Sequence, residues 1–258
     1  MQNNIISALF VGQNLLTLKE VDSTNNFLKN LLSNSKPVTE GTVIMAESQF
    51  AGRGQQQNQW HSQPGKNLTF SVLLMPTFLN ITEQFDLNRI ISLSVFDALE
   101  PLLGDEQLKI KWPNDIYYGD KKLGGILIEN IIQGSKIKSS VIGIGLNINQ
   151  EEFPDDAINA TSLKQILHRD YDLKTILNDI CQNIEAHYFI LKAKKMEFVR
   201  NTYLRRLYWL NELKQFKAAN GVFEGVIKDV KDNGILVVQN NDKENLEFSL
   251  KEIEFLNR

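Results

Sequence analysis

The sequence predicts a protein that mixes α-helices with β-sheet and ends in a small β-rich unit. Two long segments, residues 85–102 and 173–191, carry apolar residues at helical spacing. Between them, residues 108–148 contain four strand-like runs with short connections. After about residue 213, shorter runs separated by turn residues predict a small β-barrel or sandwich.

The first elements along the chain are expected to be a strand, a helix and two further strands. The first strand covers residues 15–22, and Asp22-Ser23-Thr24-Asn25 then offers several N-caps for a helix. Strands at 42–47 and 68–74 enclose a polar loop. The helix over 85–102 is expected to stop at Gly104, because glycine suits the left-handed conformation that follows many helices.

The middle of the chain is expected to form consecutive strands followed by a long helix. The strand-like runs are 108–112, 116–118, 122–132 and 140–148. Gly119-Asp120 is a two-residue hairpin signal between the second and third of them. The helix over 173–191 has Asp172 as its expected cap.

After about residue 212, the sequence changes from long helical segments to short strand-like runs separated by turn residues. Asn220-Gly221 and Asn233-Gly234 are both favoured hairpin pairs, and they separate strand-like runs at 222–230, 235–238 and 246–250. We therefore expect two domains, residues 1–212 and residues 213–258.

Composition limits the classes of function. The 258 residues are 42% hydrophobic and 23% charged, and the net charge of −3 gives no reason to expect DNA or RNA as a partner. No apolar run approaches the roughly 18 residues of a membrane span, and the first residues lack a basic signal-peptide region. The single cysteine, Cys181, is expected to be a small buried hydrophobe. These features predict a cytoplasmic protein without a membrane partner.

Two short segments can carry chemistry. In Gly52-Arg53-Gly54 the glycines let the backbone approach a ligand, and the Arg53 guanidinium suits a carboxylate or phosphate, although Gly-Arg-Gly also occurs in ordinary loops. The second segment is Lys111-Trp112-Pro113-Asn114-Asp115 with Lys122 and Gly124-Gly125 downstream. A hairpin would bring Lys111 and Lys122 into one neighbourhood, where Asp115 could orient or deprotonate an amine. The alternative without a function is that Lys111 and Lys122 are solvated side chains at the ends of strands.

A protein-bound metal is not predicted. His61, His168 and His187 are far apart in the sequence and show no spacing typical of metal ligands, so we expect all three to be structural.

Taken together, these segments resemble biotin protein ligases. The matching pieces, in the order of the family, are Asp22-Ser23-Thr24-Asn25, Gln49 with Ala51-Gly52-Arg53-Gly54, Trp60, Lys111-Trp112-Pro113-Asn114-Asp115, Lys122-Leu123-Gly124-Gly125-Ile126 and Gly143-Ile144-Gly145-Leu146-Asn147. They cover about residues 20–165, and the Lys-Trp-Pro-Asn-Asp run is the most specific of them. The resemblance implies an α+β fold with a mixed, largely antiparallel sheet flanked by helices, related to class II tRNA synthetases. It also implies a small SH3-like C-terminal domain, whose role would be to help position ATP or the carrier.

The resemblance implies a two-step reaction. Biotin first reacts with ATP to give biotinyl-5′-AMP and pyrophosphate, and a lysine of a biotin carboxyl carrier domain then takes the biotin. Magnesium would travel with the phosphates of ATP rather than in a protein cage. Residues 50–64 would close over the intermediate as a lid that excludes water.

Site residues follow from the same resemblance, position by position. The catalytic residues would be Arg53, Lys111, Asp115 and Lys122. The residues expected at biotin are Ser23, Thr24, Gln49, Gly52, Arg53, Lys122, Gly125 and Gly145. The residues expected at ATP or the adenylate are Arg53, Trp60, Lys111, Asn114, Lys122 and Asn147. Trp60 and Phe153 are both candidates for packing on adenine.

Two departures from the family pattern shape the expectations. The loop after Gly54 reads Gln55-Gln56-Gln57-Asn58-Gln59, without the further basic residues common in the family, so we expect weaker electrostatic retention of the adenylate. Only 22 residues precede Ser23, which is too few for a winged helix-turn-helix, so we expect no repressor role. The sequence leaves open whether two copies form a homodimer.

Two alternative functions stay open at this point. One is a lipoate or octanoyl ligase on the same fold, against which Trp112-Pro113-Asn114-Asp115 argues. The other is a non-catalytic biotin-binding or interaction module, against which the presence of Arg53, Lys111 and Lys122 argues.

Overall fold

The computed structural model describes residues 6–34, 37–55, 58–104, 106–157 and 159–256. The helices are α1 (Thr24–Ser33), α2 (Gln84–Leu103), α3 (Leu163–Leu167), α4 (Leu173–Lys192) and α5 (Met196–Arg205). The strands are β1 (Leu15–Val21), β2 (Val43–Gln49), β3 (Leu68–Leu74), β4 (Leu108–Lys111), β5 (Asp115–Tyr118), β6 (Lys121–Gln133), β7 (Lys136–Leu146), β8 (Leu213–Ala218), β9 (Gly221–Val230), β10 (Leu236–Asn240), β11 (Asn245–Phe248) and β12 (Ile253–Phe255). Within these ranges no helix is both long and apolar enough to cross a membrane.

Seven strands form one large mixed sheet in the order β1-β2-β3-β7-β6-β5-β4. β1 and β2 run parallel, and the other neighbouring pairs run antiparallel. The predicted α+β class, with a mixed and largely antiparallel sheet flanked by helices, is confirmed.

Helices cover both faces of this sheet. Successive side chains of a strand point to opposite faces, and β3 shows both environments. Phe70 and Val72 belong to the large core that includes residues of α2 and α4, whereas Leu73 packs with Leu28 of α1 in a second, smaller core. α1 therefore lies on the face opposite α2 and α4.

Five strands form a second, antiparallel sheet in the order β11-β10-β9-β8-β12. It is built from residues 213–255 alone, and Phe216 and Val238 are fully buried within it. This small sheet is consistent with the expected SH3-like unit. The division of the chain at residue 212 stays a prediction.

Arg89 of α2 ties the small sheet to the large one. Its guanidinium is almost fully buried, forms an ion pair of 2.6 Å with Asp86, and donates to the carbonyl oxygens of Val230, Lys231 and Asp232. A second junction lies at the edge of β4, where Ile110 exchanges backbone hydrogen bonds with residues 206 and 208. The first junction links α2 to the small sheet, and the second holds the segment before β8 against β4.

Local signals identify most of these elements. β3 coincides with the predicted strand, Gly104 ends α2 with φ 71°, and the Asp172 side chain accepts a hydrogen bond from Thr175 N at the start of α4. Gly119, in the hairpin between β5 and β6, has φ 55°. The short elements α3, α5, β8 and β12 were not predicted.

Candidate active site

A cleft of about 470 Å³ lies on the α1 face of the large sheet and is bordered by the small sheet. Its lining includes these predicted site residues: Ser23, Thr24, Gln49, Arg53, Trp60, Lys111, Asn114, Asp115, Lys122, Gly125 and Gly145. The remaining two lie elsewhere. Gly52 lines a neighbouring cleft, and Asn147 is buried with its Nδ2 donating to Thr161 O.

Glycines on β7 make room over the floor of the cleft. A Cβ atom at Gly145 would lie 2.5 Å from the Trp60 ring, and one at Gly143 would lie 2.5 Å from Asn25 Oδ1. These side chains can therefore lie directly on the strand only because both positions are glycine. Residues 143 and 145 share one face because the period of a strand is two.

One end of the cleft carries a buried polar cluster. Thr24 donates from its backbone N and from Oγ1 to Gln49 Oε1, at 2.8 and 3.2 Å. Ser71 Oγ lies 2.7 Å from Thr24 Oγ1 and 2.6 Å from Asn25 Oδ1. Such a cluster can recognise a small neutral group with N–H and C=O functions, since it offers donors and acceptors away from bulk water.

Contacts with four other parts of the fold hold the turn between β4 and β5. Pro113 O accepts hydrogen bonds from Tyr203 Oη of α5 at 2.9 Å and from Asn88 Nδ2 of α2 at 3.1 Å. Trp112 Nε1 donates to Gly234 O, between β9 and β10, at 3.0 Å. Asn114 bonds to the backbone of Ile126 in β6. The turn residues are thus mainly a rigid frame for the charged residues beside them.

Asp115 and Lys122 form an ion pair of 2.7 Å within the cleft. Gly125 lies opposite Asp115 in the sheet, and a Cβ atom there would come within 3.1 Å of Asp115 Oδ1 and 3.4 Å of Lys122 Nζ. Glycine at position 125 therefore leaves space for this pair. The side chains of Asp115 and Lys122 are 26% and 35% exposed, so a ligand can reach both.

Lys111 has different surroundings. Its Nζ donates to Tyr117 Oη at 3.1 Å and lies 4.7 Å from the centroid of that ring. It also lies 5.1 Å from the ring centroid of Phe255 and 5.9 Å from that of Tyr208. Burial lowers the pKa of the Lys111 ammonium; the charge of Lys122 acts in the same direction, and that of Asp115 opposes it.

Arg53 contacts an acidic centre that the sequence analysis missed. Its guanidinium pairs with Glu129 through Nη2–Oε1 at 3.0 Å and Nη1–Oε2 at 3.1 Å. Glu129 also accepts from Lys29 Nζ at 2.8 Å and Asn25 Nδ2 at 2.9 Å. Burial raises the pKa of the Glu129 carboxyl, but hydrogen bonds from Lys29, Asn25 and Arg53 outweigh burial and lower it overall. Strand period could have found Glu129, because it shares the cleft face of β6 with Gly125.

The loop after β2 folds back on itself. Gly54 N donates to Asn58 O at 2.7 Å, and Trp60 N donates to Gly52 O at 2.9 Å, so Trp60 returns to the cleft. Gln56 and Gln57, within the uncharged stretch, lie outside the described residues. A second cleft of about 460 Å³ lies beside Trp60 and includes Phe153 in its lining. The lid function of residues 50–64 stays a prediction.

The cysteine and His187 lie outside the cleft and contact other parts of the fold. The Cys181 thiol is fully buried, and burial raises its pKa to about 12, with the charge of Glu185 adding to the effect. His187 Nε2 lies 2.8 Å from Asp97 Oδ2. Among the described residues, no cluster of three or more His, Cys, Asp or Glu side chains could hold a metal ion.

Comparisons with known proteins identify the family of this chain. The model of the biotin/lipoate A/B protein ligase family matches residues 18–147, half of the chain. The chain belongs to this family.

Within this family, the chain is similar to several proteins named as biotin ligases. The bifunctional ligase/repressor BirA of Bacillus subtilis is 31% identical over 236 residues, which are 90% of this chain and 71% of that protein. The biotin–[acetyl-CoA-carboxylase] ligase of Paracoccus denitrificans is 25% identical and matches 86% of this chain and 92% of its own length. The solved structure of the Aquifex aeolicus biotin protein ligase in complex with biotin and ATP superposes with a TM-score of 0.78 at 30% identity, covering 95% of this chain and 100% of that one.

Proposed function

We propose that this protein is an ATP-dependent biotin protein ligase. The observation that carries the proposal is a single cleft that combines Arg53, Lys111 and Lys122 with a buried polar cluster. The cations suit a carboxylate beside a phosphate, and the cluster suits a neutral ring with N–H and C=O groups. The similarity to a biotin protein ligase solved with biotin and ATP supports this combination.

In the first step, a carboxylate oxygen of biotin attacks the α-phosphorus of ATP, and the bond from that phosphorus to pyrophosphate breaks. Two anions must approach each other, so the barrier depends on nearby positive charge. We assign this role to Lys111, Lys122 and Arg53. We further propose that Mg²⁺ enters with ATP, bound to its phosphate oxygens.

In the second step, the amine of a carrier lysine attacks the acyl carbon of biotinyl-5′-AMP, and AMP leaves. The amine must lose a proton to become nucleophilic. We propose that Asp115 orients this amine and accepts the proton that it loses, and that the ion pair with Lys122 keeps the carboxylate in the cleft. AMP then carries the former α-phosphate away.

For the remaining site residues we propose the following positions. Ser23, Thr24 and Gln49 face the ring of biotin, with Gly52, Gly125 and Gly145 beside it, and Trp60, Asn114 and Asn147 lie toward the nucleotide. Ser71 and Asn25, which complete the buried polar cluster, would support the biotin side. Mispaired polar groups in such a cluster cost roughly 1–3 kcal/mol each, so the cluster would select for biotin.

The partner implied by this chemistry is a biotin carboxyl carrier protein or domain, and we propose that the reaction takes place in the cytoplasm. Whether the protein acts as a homodimer can be read from its mass in solution.

Incubation of the purified protein with ATP, Mg²⁺, biotin and a carrier domain tests the proposal. Mass spectrometry should show one biotinyl group on one carrier lysine. A lipoyl adduct when biotin is replaced by lipoate, at equal or higher rate, would indicate the sibling activity instead. Biotin binding without any adduct or adenylate would contradict the proposed function and indicate a binding module.

A further inference from the structure

We propose that Tyr117, Tyr208 and Phe255 form an aromatic cage that positions Lys111 for the adenylation step. Two of these rings, Tyr208 and Phe255, come from the chain after α5, so the small sheet would take part in organising the cleft. This inference rests on the proposed ligase function and assigns a task to residues outside the matching motifs.

The ammonium of Lys111 is enclosed by rings on several sides. The distances from Nζ to the ring centroids are 4.7 Å for Tyr117, 5.1 Å for Phe255 and 5.9 Å for Tyr208. All three lie within the range in which a ring attracts a cation. Tyr117 and Tyr208 contact each other at 5.2 Å between centroids, which closes one side of the cage.

The cage is continuous with the aromatic core of the small sheet. Tyr208 stacks on Trp209 at 4.7 Å, and Trp209 stacks on Phe255 at 5.6 Å. Phe255 also meets Phe216, which is fully buried, edge-on at 5.3 Å. Tyr208 Oη donates to Asp120 Oδ1 at 2.6 Å, which fixes the ring against the β5–β6 hairpin. The position of Phe255, and through Trp209 that of Tyr208, therefore depends on the folding of the small sheet.

This arrangement differs from that of the other cleft lysine. Lys122 is held by a carboxylate, Asp115, which offsets its charge. A cage of rings holds an ammonium in place without a neutralising anion. The charge of Lys111 therefore remains available to a phosphate, and partial burial strengthens that interaction because water screens it less.

The main test compares three variants by biotin-dependent exchange of pyrophosphate into ATP. Phe255→Leu should lower the exchange rate about five- to tenfold, since it removes one ring from a partly desolvated cation. Phe255→Tyr should restore most of the rate. The control is Phe223→Leu, because Phe223 lies in the same aromatic core, stacked on Phe248 at 5.8 Å, and should keep the wild-type rate.

A double-mutant cycle separates positioning from general structure. In a Lys111→Ala background, Phe255→Leu should cause no further loss, because the side chain it positions is gone. Additive losses, or a wild-type rate for folded Phe255→Leu, would overturn the inference. If that variant shows no cooperative thermal transition, Phe255→Met takes its place. An active wild-type enzyme with an unaffected variant contradicts only the cage, whereas an inactive wild type contradicts the proposed function itself.

Discussion

Lys122 and Glu129 both lie on β6 but have different partners. Lys122 is joined to Asp115, whereas Glu129 collects hydrogen bonds from Asn25, Lys29 and Arg53. The first pair lies where the reacting groups would meet. The second holds Arg53 against the strand. Because both residues lie on one strand, a small shift of β6 would change both contacts.

Replacement of Lys122 by alanine should abolish adenylation while the fold is kept. The change removes the charge assigned to the developing negative phosphate, so we expect pyrophosphate exchange to fall by at least about 100-fold. Thermal unfolding should shift little, because the side chain is 35% exposed. Lys121→Ala is the matched control, since Lys121 is the exposed neighbour. An exchange rate in Lys122→Ala equal to that of the control would refute the assignment.

Replacement of Glu129 by glutamine should give a stability loss that depends on pH. The folded pKa of Glu129 lies below its ordinary value of 4.5, so its contribution is present above that value and disappears as the pH falls through the lower folded pKa. We expect Glu129→Gln to be less stable by about 1 kcal/mol at neutral pH. Urea titrations should show this gap closing at pH values below 4.5.

Glu247→Gln provides the control for that measurement. Glu247 pairs with Lys231, but both side chains are nearly half exposed, so its replacement should change stability little at any pH. A stability gap for Glu129→Gln that stays constant across the acid range would contradict the stabilising role of the Glu129 ion pairs.

Some of the candidate site residues could be predicted from the sequence and others could not. Arg53, Lys111 and Lys122 could be proposed as site residues because they stand in specific motifs, and Asp115 because it follows a turn signal. Ser71 and Tyr208 could not, because their roles depend on which elements are neighbours in the fold. For Glu129, the strand period indicates its face of β6 but not its partners Asn25, Lys29 and Arg53. β3 lies next to β7 only through long-range pairing, which no local pattern encodes.

At the scale of elements, the loop after β2 and strand β7 form one unit. Trp60 rests on Gly145, and Arg53 pairs with Gln59 across the loop as an isolated β-bridge. The position of the loop over the cleft therefore depends on the glycine at position 145 of β7. Among the described residues of this loop, Arg53 is the one charged residue that lines the cleft.

A positive charge on this loop should slow release of the adenylate. Gln59 is exposed and lines the cleft, so Gln59→Arg places a cation near the phosphate of the intermediate. We expect release to slow several-fold at low salt and the difference to shrink at higher salt, because exposed charges are screened. Gln59→Met is the uncharged control. Single-turnover release of labelled adenylate measures both, and identical rates for Arg and Met would contradict electrostatic retention.

Elements with strong periodicity could be predicted, and short ones could not. α2 and α4 extend over twenty residues each with an apolar stripe, which a sequence window detects. β12 has three residues and owes its position to pairing with β8. α5 carries its buried residues Met196, Val199 and Tyr203 among many polar ones, so the apolar signal is weak.

In the molecule as a whole, Arg89 joins α2, which packs on the large sheet, to the small sheet. It is 1% exposed, donates to three carbonyl groups at the end of β9 and in the turn after it, and lies over Phe85 at 4.6 Å. Gly234 in the same turn accepts from Trp112 beside the cleft. The turn that Arg89 binds therefore also supports the β4–β5 turn beside the cleft.

Replacement of Arg89 by methionine should loosen the small sheet. It leaves the carbonyls and part of Asp86 without their buried partner, so we expect a loss of about 3 kcal/mol. Hydrogen exchange should accelerate at residues 230–240 before it does in β3. Arg205→Met is the control, because Arg205 is exposed. A stability equal to that of the control would show that Arg89 does not join the two sheets.

We propose that the cleft activates biotin by joining it to the α-phosphate of ATP. The most direct measurement is exchange of labelled pyrophosphate into ATP with Mg²⁺, carried out with and without biotin and with the Lys122→Ala variant. We predict exchange that requires biotin, needs no carrier protein and disappears in the variant. Exchange that is absent with biotin, or that proceeds equally without it, would contradict the account.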